Sequence, residues 1–191
     1  MTANFSLLMR LSQEAHKEFI AEWKRFDTGT RYPETPELIK AREMFFVAHN
    51  RLFSALQEYE KDFYAGQSEA IDSVLNFLEV DIPAFRCGYA KQKFFRKLKS
   101  FDLNEIQKQR IRKLAYNLSV SESYRVEFRD LARLVIKHAD VKFVEDIRKA
   151  AENSNGRIKF KCELMLQTIL QNRADFLRND DRTLQPPNII S

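Results

Sequence analysis

An all-α fold follows from three observations on the 191 residues. Apolar residues recur at three- and four-residue spacing along the chain, the period of an amphipathic helix. Strand-like alternation bounded by turn residues does not recur as a pattern. Only four glycines occur, well below the ordinary share of about 7%, and Gly29, Gly66 and Gly156 fall where helix breaks are expected. The architecture expected is a right-handed stack of antiparallel helix pairs with a long N-terminal helical hairpin. An irregular helical bundle is the alternative.

The first helix is expected from about Asn4 to Arg25, with Leu8, Leu11, Ala15, Phe19 and Trp23 as its apolar positions. A loop with Gly29 and Pro33 follows. Thr35-Pro36-Glu37 reads as an N-cap, a proline at the first helical position and an acid in the first turn. This second helix runs to about Ala65 and stops at Gly66, with Leu38, Phe45, Leu52, Leu56, Tyr59 and Phe63 on one face. About 30 residues span about 45 Å, and a stripe of that length needs a partner. Further helices are expected at Ser68–Glu79, Pro83–Ser100, Asn104–Leu118, Tyr124–His138, Phe143–Asn153 and from Ile158 to about Arg178. Residues 1–178 then form one helical domain, divided into 1–80 and the repeat-like 81–178. The polar tail, 179–191, with Gln185-Pro186-Pro187, reads as extended or disordered.

The second half repeats itself loosely. Phe85-Arg86 with Ala90 recurs as Phe128-Arg129 with Ala132, 43 residues on. Ile111-Arg112-Lys113-Leu114-Ala115 recurs as Ile147-Arg148-Lys149-Ala150-Ala151, 36 residues on. Asp140-Val141 followed by Ile147-Arg148 and Ala151, and more partially Asp81-Ile82-Pro83 followed by Arg86 and Ala90, resembles the second helix of HEAT-like repeats. The resemblance covers residues 81–157, with units at about 81–120 and 121–157. It implies a short α-solenoid whose pairs approach through Ala90, Ala115, Ala132 and Ala151. Such slabs bind partners along an extended surface.

Composition narrows the class. Hydrophobic residues make up 44% and charged residues 31%, as in a globular chain. Cys87 and Cys162 lie 75 residues apart in no CxxC pair, and read as buried, reduced thiols of a cytoplasmic protein. Met1–Leu11 lacks the features of a signal peptide. The longest apolar run, Met44–Ala48, is far short of the about 20 residues of a spanning helix. No membrane association is expected.

Motifs for chemistry are missing from the sequence. His16, His49 and His138 follow Gln13, Phe46 and Val135 at three residues, so neither HExxH nor Glu-x-x-His occurs. GxxxxGK[ST], GxGxxG and GxSxG are absent as well. No catalytic residue, cofactor or metal is expected. Phe45-Phe46 and Phe94-Phe95 each turn one ring inward and the next about 100° around.

Charge is the sharpest functional feature. The chain carries +5 overall. Ten basic residues crowd into 86–113: Arg86, Lys91, Lys93, Arg96, Lys97, Lys99, Lys108, Arg110, Arg112 and Lys113, opposed only by Asp102 and Glu105. Two readings compete. One is a solvated face on a non-enzymatic helical scaffold that binds another macromolecule, most readily a protein. The other is a nucleic-acid accessory protein gripping phosphates with this basic helix pair, Tyr89, Phe94 and Phe101 adding stacking. An all-α enzyme of the HEAT-like DNA-repair kind is a third alternative. The Phe-rich second helix and the uncovered ends of a short stack point to a homodimer.

Overall fold

The computed structural model describes residues 4–26, 35–80, 86–123 and 125–173. Among these, all regular structure is helical: α1 (Phe5–Phe26), α2 (Pro36–Tyr64), α3 (Ser68–Glu79), α4 (Cys87–Leu98), α5 (Glu105–Ser119), α6 (Phe128–Val135), α7 (Val141–Glu152) and α8 (Gly156–Leu170). The loop around Gly29, the Asp81-Ile82-Pro83 motif and the 179–191 tail lie outside the described residues. No described helix is long and apolar enough to cross a membrane. The chain forms two compact units, residues 1–102 and 103–191.

In the first unit α1 lies along α2, and α3 packs on both. Thr35 caps α2 as expected: its Oγ1 accepts from Leu38 N at 3.2 Å, with Pro36 behind it. The helix ends in a left-handed Gly66, φ +80°. Gly66 N donates to the Phe63 carbonyl at 2.9 Å and Gln67 N to that of Asp62 at 3.0 Å, which closes a Schellman turn. A side chain at Gly66 would meet only the Phe101 ring at 3.5 Å, so the dihedral selects glycine here.

α4, expected among the repeat-like helices, belongs to this unit. Its Phe94 ring meets Phe63 of α2 at 5.1 Å and Phe77 of α3 at 6.0 Å, both edge to face. Phe94 and Phe95 are both buried, so only Phe45-Phe46 divides between core and solvent as the sequence suggested. Phe94 is a core ring and not a stacking platform; Tyr89 is exposed and Phe101 half-buried.

α1 is phased differently from the expectation. The buried row is Phe5, Met9, Ser12 and Ala15, while Leu11 is 41% exposed and Leu8 only half-buried. The helix carries two apolar stripes, and α2 covers the one that includes a serine. Ser12 Oγ is buried with no hydrogen-bond partner among the described residues.

In the second unit α8 packs on α7, α6 and α5, and α5 also packs on α6 and α7. Asn104 opens α5 with a reciprocal capping box: Gln107 N donates to Asn104 Oδ1 at 2.9 Å, and Asn104 N to Gln107 Oε1 at 3.2 Å. α6 is much shorter than the 124–138 reading. After Val135 the backbone turns, with His138 N and Ala139 N both donating to the Val135 carbonyl.

Candidate functional site

The ten basic residues of 86–113 divide between the two units. Six of them fall in the first unit and four in the second. Lys91 is buried, and its ammonium donates to the carbonyls of Leu78, at 3.1 Å, and Val80, where α3 ends. It is a helix C-terminal clamp and is unsuited to gripping a phosphate. Lys97 folds over the rings of Phe101, 4.9 Å, and Tyr64, 5.8 Å. Lys93 and Arg96 are exposed, Lys99 is half-buried just past α4, and Arg86 precedes that helix in a left-handed conformation, φ 58°.

In the second unit Lys108 pairs with Glu105 at 2.7 Å. Arg112 turns inward: its Nε lies 3.1 Å from Asp140 Oδ2, and Nη1 donates to the His138 carbonyl at 2.9 Å. Arg110 and Lys113 line a cleft of about 500 Å³ between α5 and α7. Lys142, Asp140, Phe143 and Asp146 form its other wall, and Ile106, 70% exposed, and Tyr116 add apolar surface. Lys142 was not among the sequence candidates. It lies 29 residues beyond Lys113, and only the α5–α7 contact places the two on one cleft.

His138 sits beside this cleft's Arg112–Asp140 pair and is buried, both ring nitrogens lacking a hydrogen-bond partner among the described residues. Burial, then the nearby Lys137, Lys108 and Arg112 charges, lower its pKa to about 4, against a small opposing pull from Glu105. It is a neutral core histidine at physiological pH. Cys87 and Cys162 are free and buried, and burial raises the pKa of the Cys162 thiol. Among the described residues no group of three His, Cys, Asp or Glu is placed to hold a metal ion.

A second cleft, about 490 Å³, runs between α1 and α2. Its floor is apolar: Leu8, Leu11 and Ala15 from α1, and Met44, Val47 and Ala48 from α2. Met44 is 48% and Val47 53% exposed. The charges along it are divided by helix, Glu14 and Glu18 on α1 against Lys40, Glu43 and Arg51 on α2. Among the described residues Glu14, Glu18, Lys40 and Arg51 make no ion pair. Sequence reasoning missed this feature, although its signal is present. Leu8, Leu11, Ala15 and Glu18 follow helical spacing, as do Lys40, Met44, Val47 and Arg51. No family model, curated protein or solved structure matches this chain.

Proposed function

We propose that this chain is a non-enzymatic helical interaction module that holds a protein partner on its α1–α2 hairpin. One observation carries this reading. Both helices bury one apolar stripe against each other and leave another, Leu8, Leu11, Met44 and Val47, facing outward along a shared cleft. Scattered exposed hydrophobes need no explanation, but a contiguous row on two adjacent helices is the form of a helix-binding surface. The experiment is site-specific photo-crosslinking in cells. A photoreactive residue at Val47 should yield an adduct of discrete mass. The same residue at Asn50, exposed on α2 but outside the cleft, should not. Equal adducts at both positions, or none at Val47, would remove the reading.

The finer architecture proposed with it is a short stack of HEAT-like helix pairs. The α5·α7 and α6·α8 contacts support pairs α5–α6 and α7–α8, offset by one helix from the units suggested by the sequence. A second reading is backbone-directed polyanion binding. It is favoured by the α5–α7 cleft, where Arg110 and Lys113 meet Lys142 across the groove. The second unit also carries the whole net charge: 17 Lys and Arg against 12 Asp and Glu, while the first unit balances at 15 of each.

A further inference from the structure

We infer that the α1–α2 cleft is a self-association surface: a second copy of this chain packs its own α1–α2 hairpin there as a two-fold four-helix bundle. The inference rests on the reading of that hairpin as a protein-docking face, and it names the partner. Three observations favour a second copy. The exposed stripe lies on both helices of the hairpin, so a partner must cover a surface two helices wide. Another hairpin does so, which is the geometry of antiparallel four-helix bundles. The apolar floor of Leu8, Leu11, Met44 and Val47 is self-complementary in chemistry, as an isologous interface requires.

The charges point the same way. The cleft charges on α1 are both acidic, Glu14 and Glu18, and those on α2 are mainly basic, Lys40 and Arg51 with Glu43. Ring contacts of Phe5 with Tyr59 and of Phe19 with Phe45 fix α1 and α2 as antiparallel. A two-fold axis parallel to the helices then sets each α1 opposite the partner copy's α2. Glu14 and Glu18 of each copy come to face the helix carrying Lys40, Glu43 and Arg51 of the other, with Glu14 nearly level with Arg51. Glu14, Glu18, Lys40 and Arg51 are unpaired among the described residues, so the interface would engage charges that the single chain leaves to solvent.

The test is light scattering and sedimentation equilibrium of the full chain across a concentration series. Wild type should approach about 45 kDa, twice the chain mass of 22.6 kDa, and dissociate on dilution. Val47→Glu, at an exposed position, should be a folded monomer by circular dichroism. Glu14→Lys/Glu18→Lys and Lys40→Glu/Arg51→Glu should each weaken the dimer at least about tenfold, and the fourfold variant should restore it. A wild type that stays monomeric, or a dimer indifferent to Val47→Glu, overturns the inference. Photo-crosslinking at Val47 separates the two levels. A monomer that crosslinks there to a different protein overturns only the self-association; a monomer that crosslinks to nothing overturns the docking face as well.

Discussion

Arg112 and Asp140 tie α5 to the start of α7 with two opposed roles for one carboxylate. Asp140 Oδ2 takes Arg112 Nε at 3.1 Å, while Oδ1 accepts from Phe143 N at 2.8 Å and caps α7. Arg112 also holds the His138 carbonyl, so it spans the turn between α6 and α7. Its charge is committed to the fold.

The two roles of Asp140 separate by substitution. Asp140→Ala removes cap and ion pair together and should cost about 1–2 kcal/mol in urea unfolding. Asp140→Asn keeps an equivalent cap acceptor and loses only a partly exposed ion pair, so its cost should stay below about 1 kcal/mol. Equal losses would mean that the ion pair, not the cap, is the stabilising element.

His138 makes stability pH-dependent. Its folded pKa, about 4, lies below the ordinary value of 6.5. Between those values the unfolded chain binds the proton and the folded one does not. The stabilising contribution is therefore complete at pH 7 and declines as pH falls from 6.5 toward 4. Wild type should lose about 1–2 kcal/mol more than His138→Leu between pH 7 and pH 5, measured by urea titration at both. Identical slopes would show that His138 is solvated or partnered in solution.

Lys161 is a buried cation at a helix end. Its ammonium donates to the carbonyls of Leu118, Ser121 and Ser123, 3.2 Å for the last, and to Ser121 Oγ at 3.1 Å. It thus gathers the carbonyls where α5 ends, where a cation also complements the helix dipole. Lys161→Met keeps the volume but removes the ammonium those carbonyls share, leaving only the Ser121 hydroxyl to serve the Leu118 or Ser123 carbonyl. The expected cost is about 2–4 kcal/mol, against less than about 0.5 kcal/mol for exposed Lys113→Met. A small loss at Lys161 would show that water replaces the ammonium.

Local signals carried most of the helices. Thr35-Pro36-Glu37 and Gly66 bound α2 because caps and left-handed glycines are properties of a few adjacent residues, and Ser68–Glu79 is α3 as expected. Three things were not local. Leu8 and Leu11 are more apolar than Ser12, yet Ser12 is buried, because the packing of α1 on α2 selects the stripe. Lys91 stands among the basic candidates of 86–113 and Lys161 draws no reading, since the sequence does not show where a four-carbon stem delivers its ammonium. The basic run over 86–113 is continuous in sequence but divides between two units, and a lysine from α7 completes the cleft that receives part of it.

That division makes the polyanion reading specific. If phosphates bind in the α5–α7 cleft, Lys113 and Lys142 should matter and the exposed Lys93 and Arg96 of α4 should not. Binding of labelled single-stranded and duplex DNA would be followed by anisotropy at roughly 50 and 200 mM salt. Lys113→Glu/Lys142→Glu should weaken binding at least about tenfold and flatten the salt slope by about 2, with Lys93→Glu/Arg96→Glu close to wild type. Arg112 is left unchanged in both variants, because its loss would disturb the cap of α7 and mimic a binding defect. Equal weakening by both pairs would indicate diffuse attraction to a basic protein. No wild-type binding at the lower salt would leave Lys113 and Lys142 as solvated charges, and the α1–α2 face would stand alone as the interaction surface.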